Sequence, residues 1–355
     1  MIEIFEEIRF GIQTPIYPFD AIVNLAVYCE KAGFDSISVP DHTVYLPPRI
    51  DALEAWTTLA ALAMRTKRVK LASIVSDPFR HHPSSLAQMV ATLDIISNGR
   101  AILGIGAGEA MNLDPFGIKW DRPVSKMVEA VRIIRRLWME SPERIDYEGK
   151  FYKLYKACLL KPLQTPHPPI WIGGNSERTM KIVGELADGW VPLILPPESY
   201  AEYLEKIRGH ANQLGRDPLE IEPALFIYFA VAKDSDTARS LIESSAKILI
   251  LMAPPMTQKL IGYEGPQEFT ITKGLFSDPA VVKKIVEASR DVPFEVAERG
   301  FLWGSPDKCI EMIEEYVENG VRWFIMRPLV PAEMEKRTVQ LFAEKVLPYF
   351  REGTK

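Results

Sequence analysis

The chain is poor in the features that would assign it to several whole classes of protein. Its three cysteines, Cys29, Cys158 and Cys309, are too far apart for a metal knuckle and too few for a disulfide framework. Buried free thiols in a reducing, cytoplasmic setting are the expectation. No apolar run reaches about 18 residues, and the opening stretch MIEIFEEIRF is acidic and mixed. A membrane span, a signal peptide and a membrane partner are therefore not expected. Positive charge is not in excess: 42 Lys and Arg against 47 Asp and Glu leave a net charge of −5, which argues against nucleic acid and anionic membrane as partners. Ser-His-Asp, HExxH and GxxxxGK[ST] signatures are missing, so hydrolase and kinase readings have no support. What remains is a globular chain, 47% apolar over 355 residues, with ample material for a core.

Apolar runs and helical periodicities alternate along it. Strands are expected at Arg9–Gln13, Ser36–Val39, Val69–Val75, Ala101–Ile105, Ile170–Ile172, Gly189–Leu193, Leu225–Val231 and Trp323–Met326. Between them fall helical patterns, among them Ala21–Lys31, Ala52–Met64, Ser84–Ile96, Lys126–Trp138, Ser176–Leu186 and Thr237–Met252. Strand–helix alternation demands a parallel sheet. Eight such units predict an α/β fold of the (β/α)8 TIM-barrel type, one domain over residues 1–355; a doubly wound open sheet is the alternative. Two irregular stretches, about 141–169 and 253–304, read as insertions, the first with a hairpin near Phe151-Tyr152 and the second with at least one helix of its own.

In a barrel, the loops that follow the strands build the active site. The stretch from Leu71 to Trp120 is the densest source of such loops. Strand two ends in Asp41-His42, and a histidine there can donate or accept a proton, or else simply be satisfied by a loop carbonyl. His81-His82 precede Pro83 and fit a helix cap; on an extended segment the two rings diverge, which disfavours a shared metal. Strand four runs into Gly104-Ile105-Gly106-Ala107-Gly108-Glu109, whose glycines let backbone amides approach an anion or a flat ring. Glu109 is either an acid at the site or a first-turn helix glutamate favoured by the dipole. Strand five ends in Gly173-Gly174-Asn175-Ser176, a phosphate cradle at a helix start or a tight turn with a cap residue.

Several of these pieces occur together in a known order. The strand-two DH, SDPFRHHP, ISNGR, GIGAGE, PPIWIGG and ADGW resemble the bacterial-luciferase-like superfamily over nearly the whole chain. Within it, GIGAGEAMN resembles the glutamate loop of deazaflavin-dependent (coenzyme F420-dependent) glucose-6-phosphate dehydrogenases. FGIKWDRPVS and AKILILMAPP resemble methylenetetrahydromethanopterin reductases instead. The resemblance implies a luciferase-like barrel with coenzyme F420 as the cofactor, His42 as the base or acid on the substrate, and Glu109 as the proton donor to the coenzyme. It places the coenzyme against Asp41 after strand two, Ser73, Ile74 and Ser76 at strand three, Gly106, Ala107, Gly108 and Asn112 after strand four, and Gly173, Gly174 and Asn175 after strand five. It further implies a non-prolyl cis peptide at Ser73-Ile74 and a homodimer.

The departures bear on the substrate. The sugar-phosphate enzymes carry a Trp where this chain has Leu46, and a phosphate-binding Lys where it has Pro196-Pro197-Glu198. The reductases have a Glu where Gln13 stands and an Asp where Glu109 stands. The expectation is hydride transfer between the deazaflavin and a small organic substrate that is neither glucose 6-phosphate nor the pterin. The alternatives are an FMN-dependent monooxygenase of the same superfamily and a non-catalytic flavin or deazaflavin carrier.

Overall fold

Strand segments such as Phe10–Ile12 and Leu71–Ile74 have no water-facing side, so the sheet they form must be covered on both faces. In the computed structural model, which describes residues 7–45, 52–273 and 278–352, this is achieved by closure. In chain order the elements are β1 (Arg9–Gln13), α1 (Phe19–Ala32), β2 (Ser36–Val39), α2 (Ala55–Arg65), β3 (Lys70–Ser76), α3 (Pro83–Ile96), β4 (Ala101–Ile105), α4 (Ala110–Leu113) and α5 (Pro123–Met139). A hairpin, β5 (Ile145–Glu148) and β6 (Lys153–Ala157), precedes β7 (Ile170–Ile172), α6 (Glu177–Leu186), β8 (Gly189–Trp190), α7 (Pro197–Gln213), β9 (Glu222–Val231) and α8 (Ser235–Met252). Then come α9 (Pro255–Leu260), α10 (Pro279–Ala288), α11 (Phe294–Ala297), β10 (Leu302–Gly304), α12 (Pro306–Glu318), β11 (Trp323–Pro328), α13 (Ala332–Lys345) and α14 (Leu347–Glu352).

Strands β1, β2, β3, β4, β7, β8, β9 and β11 pair in parallel in that order, and β11 closes on β1 with Phe10 beside Phe324. The molecule is a closed (β/α)8 barrel. Side chains alternate along each strand. On β3, Leu71 packs outward with Ile37 and Leu86, whereas Ala72 and Ile74 point inward with Ile102 and Trp323. Trp171 and Trp323 meet edge to face inside the barrel, centroids 4.9 Å apart.

The hairpin falls where it is expected, with Tyr147 opposite Leu154. Helix α2 starts at Ala55 rather than Ala52 and β9 at Glu222 rather than Leu225, and other readings need correction too. Strand six stops at Trp190 rather than Leu193, because Pro192 has no N–H for a ladder; its carbonyl instead accepts from Phe226, and Leu193 rejoins β9 by a single bridge. Helix α5 begins three residues earlier than periodicity indicates, with Pro123 in the first turn. The second insertion contributes a strand as well as helices, β10, which pairs with the end of β9. Cys29 and Cys309 are buried, but Cys158, just past β6, is exposed. Among the described residues no helix is long and apolar enough to cross a membrane.

Candidate active site

The loops at the C-terminal ends of β2, β3, β4 and β7 surround a cavity of about 460 Å³, closed on the far side by β9, α8 and the chain after it. That volume is in the range of small-molecule sites. His42, Glu109, Asp41, Ile74, Ser76, Gly106, Ala107, Gly108, Asn112, Gly173, Gly174 and Asn175 all line it. Ser73 does not. It occupies an outward position of β3, is fully buried, and its hydroxyl donates to Gly104 O at 3.2 Å. The cis peptide also lies one bond further on than expected, at Ile74-Val75, within the irregular register between Ser73 and Ser76.

The geometry around His42 is set by Asn112, on the short helix α4. Asn112 Oδ1 accepts from the backbone N–H groups of Thr43 at 2.8 Å and Val44 at 3.0 Å, which fixes the amide's orientation. Its Nδ2 therefore donates to His42 Nδ1 at 3.1 Å. With Nδ1 used as an acceptor, the neutral imidazole holds its proton on Nε2. That nitrogen stands 3.9 Å from Glu109 Oε2. Glu109 precedes α4, but its side chain makes no cap bond to the helix. Glu109 stands at the N-cap position rather than in the first turn of α4, and its carboxylate faces the histidine and the cavity. The Tyr45 ring stands edge-on to His42, centroids 5.3 Å apart; Leu46 lies outside the described residues.

Asp41, expected at the coenzyme, lines the cavity and also anchors its wall. Its buried carboxylate is the hub of a network. It accepts from the Ser76 hydroxyl at 2.5 Å, the Arg80 guanidinium at 2.9 Å and His81 Nε2 at 3.0 Å. Arg80 also grips Asp77 at 2.6 Å, and Trp56 Nε1 donates to Ser76 Oγ at 3.2 Å. Burial by itself would raise the Asp41 pKa, but His81, Arg80 and Ser76 outweigh it and hold the carboxyl well below the usual range. For His81 burial pulls the other way, and the bond to Asp41 more than offsets it, so its pKa is raised. The network ties the loops after β2 and β3 into one rigid wall. His82 faces elsewhere and caps α3, accepting from Ser84 N at 3.2 Å.

The glycine loops approach closely. A Cβ on Gly106 would stand 2.7 Å from Val75 Cγ2, and Gly108 and Gly174 have positive φ of 78° and 127°. The anticipated cradle is narrower than Gly173-Gly174, because the N–H of Gly173 is used by Ile105 O at 3.0 Å. Ser176 caps α6 through Thr179 N at 3.1 Å. Asn175 Nδ2 donates to Leu193 O at 3.1 Å, leaving its buried Oδ1 without a partner among the described residues.

Sequence reasoning missed one side of the cavity. Gln13, Trp120, Tyr228, Met252, Met256 and Ile271 line it too. Gln13 donates to Ile74 O at 3.1 Å, and Trp120 donates to Ala107 O at 2.9 Å. Gln13 and Tyr228 lie on barrel strands, where position was a usable signal. Met252 closes α8, and Met256 and Ile271 belong to the insertion that follows it.

Residues 2–322 match the luciferase-like monooxygenase family. The chain belongs to that family. Among its relatives is a phthiodiolone/phenolphthiodiolone dimycocerosates ketoreductase of Mycobacterium tuberculosis, 30% identical over 309 residues, covering 85% of this chain and 80% of that one. Another is a 5,10-methylenetetrahydromethanopterin reductase of Methanolobus tindarius, 26% identical over 95% of this chain and 99% of its own. A solved luciferase-like barrel, an F420-dependent secondary alcohol dehydrogenase in complex with an F420-acetone adduct, superposes with a TM-score of 0.80 at 25% identity, covering 96% of this chain and 98% of that one.

Proposed function

We propose that this protein is a coenzyme F420-dependent oxidoreductase that moves a hydride between the deazaflavin and a small organic substrate. The observation that carries the reading is the pairing of His42 Nε2 and Glu109 Oε2, 3.9 Å apart across one cavity floored by glycine-rich loops. The residues present fit such a coenzyme. Gly106 and Gly108 admit a flat ring closely, the start of α6 can receive an anion, and the unpartnered Asn175 Oδ1 offers an acceptor for a ring N–H. The solved F420-dependent neighbour and the reductase relative support this choice.

When bound, a deazaflavin supplies a two-electron hydride carrier that reacts poorly with oxygen. The protein's part is placement and protons. His42 Nε2–H would hydrogen-bond a substrate oxygen and pass its proton there as hydride arrives at the adjoining carbon, the ring recovering a proton from solvent; in the oxidation the ring with Nε2 free would accept the alcohol proton and release it to solvent. Glu109 serves the coenzyme side. Asn112 is a positioning residue for both rather than a direct contact to the coenzyme.

Titration with coenzyme F420 and with FMN, followed by calorimetry and fluorescence, tests the reading. Tighter binding of F420 is expected; FMN binding at least as tightly would favour the monooxygenase alternative. Steady-state turnover separates an enzyme from a carrier. We also infer a homodimer, as closed two-fold pairs are the commonest assemblies. Light scattering that returns a particle of one 40.2 kDa chain would count against that.

A further inference from the structure

We infer that the substrate half of this cavity is shaped for an uncharged, largely apolar ketone or secondary alcohol, and that it excludes phosphates and carboxylates. The inference rests on the oxidoreductase reading above and names its substrate class.

Charge is the first argument. Arg80 is the single cation among the described residues that line the cavity. Its guanidinium is already committed to Asp77 at 2.6 Å and Asp41 at 2.9 Å, and one of its nitrogens also donates to Asp41 O. The other charged liners, Asp41, Asp77 and Glu109, are all acids, and of these Glu109 has no Lys or Arg bonded to it among the described residues. An anionic substrate would therefore be desolvated beside a carboxylate with no free counter-charge among the described residues to receive it.

The far wall is the second argument. Phe226 of β9, Leu249 and Met252 of α8, and Met256 and Ile271 of the following segment present hydrocarbon and thioether surface. Methionine side chains adapt to different shapes, so this wall suits alkyl groups of various lengths. Besides the hydroxyls of Thr257 and Thr272, the neutral donor on this side among the described residues is Tyr228. Its ring is buried in the same wall, and its hydroxyl makes no hydrogen bond to any described residue. Burial, with Tyr45 and Glu109 acting in the same direction, keeps that hydroxyl protonated. Tyr228 and His42 line the same cavity, and an O–H and an N–H donor suit a single neutral substrate oxygen. The reaction then balances: the carbonyl carbon gains hydride from the reduced coenzyme, its oxygen gains a proton from His42, and the product is the secondary alcohol; the oxidation runs in reverse.

Matched probes test this. Calorimetry on the whole protein, with and without coenzyme F420, would compare 2-octanone and 2-octanol with octanoate and octyl phosphate. The neutral pair should bind at least about 10-fold more tightly than either anion. Tyr228→Phe should weaken 2-octanone several-fold with the melting temperature kept. Ile271→Arg, which places an unpaired cation in the wall, should reverse the order in favour of octyl phosphate. An anion binding the unaltered, coenzyme-loaded protein as tightly as the ketone overturns the inference, and so does failure of both neutral probes to bind. The parallel coenzyme titration keeps the two readings apart: if coenzyme F420 fails to bind while 2-octanone does, the oxidoreductase reading falls and the pocket chemistry stands.

Discussion

Asn112 offers the sharpest test of how the site is built, because its two ends perform separable tasks. The Asn112→Ala variant removes the acceptor for the N–H groups of Thr43 and Val44 and the donor to His42. Val44 is buried while Thr43 is exposed, so only one of the two orphaned donors bears the full penalty of about 1–3 kcal/mol, and the expected loss of stability is about 2–3 kcal/mol. Asn112→Asp is the informative partner. It keeps an acceptor for both backbone donors, so its urea midpoint should move little. It also sets an oxygen against His42 Nδ1, which draws the imidazole proton to that nitrogen and leaves Nε2 bare toward Glu109. Losing a general acid costs about 10²–10⁴-fold, and a loss in kcat of that order is expected from the aspartate variant with coenzyme affinity retained. Its residual activity should rise as pH falls, since a protonated ring carries hydrogen on Nε2 again. Single-turnover absorbance of the coenzyme across pH reads this directly. A well-folded aspartate variant with wild-type turnover and an unchanged pH profile would refute the tautomer argument.

Other outcomes follow from the same geometry. His42→Ala and Glu109→Gln should each lower kcat by at least about 10²-fold with coenzyme binding kept; near wild-type turnover by either variant would make that residue structural. Ser176→Asp retains a good cap for α6 while adding a negative charge at the supposed anion site. Coenzyme affinity should fall about 10-fold at low salt with the melting temperature kept, and an unchanged affinity would dismiss the cradle. The Asp41 network predicts a pH-dependent stability. His81 has a raised pKa, so its contribution is complete below its ordinary value of 6.5 and is lost as pH rises through the raised one. Asp41 is held low, so its contribution is complete above its ordinary value of 3.8 and fades only in strong acid. The melting-temperature gap between the wild type and His81→Gln should therefore be widest in weak acid and close toward alkaline pH; a gap independent of pH would contradict the pairing.

The barrel was legible because closure leaves its mark on every strand: runs such as Ala101–Ile105 are apolar on both faces, and helical periodicity separates them. His42 and Glu109 were legible for a related reason, since a strand end fixes where the next residues emerge. Ser73 shows where that logic stops. Its place on β3 was read correctly, but its direction depends on where the irregularity begins, and residue types do not announce that; the alternation runs undisturbed through Ile74, which turns Ser73 away from the cavity. Asn112 was legible as a site residue but not as what it holds. Its partners at Thr43 and Val44 lie about 70 positions away in the chain and meet it only because α4 folds back over the loop after β2. The wall formed by Met252, Met256 and Ile271 was least legible: Met252 ends the predicted helix Thr237–Met252, whose periodicity does not tell which core its apolar face meets, and Met256 and Ile271 follow within the second insertion. Hence the parts most visible in the sequence, His42 and Glu109 at strand ends, are those proposed to carry the shared proton chemistry. The parts least visible are the ones that would choose the substrate. A change of specificity in this scaffold is therefore expected to come from substitutions at Tyr228, Met252 or Ile271 rather than at the strand-end loops. Exchanging those wall residues should alter the ratio of kcat/KM between neutral and anionic probes while leaving coenzyme affinity within about 3-fold; a comparable loss of coenzyme affinity would show that the two halves of the cavity are not separable.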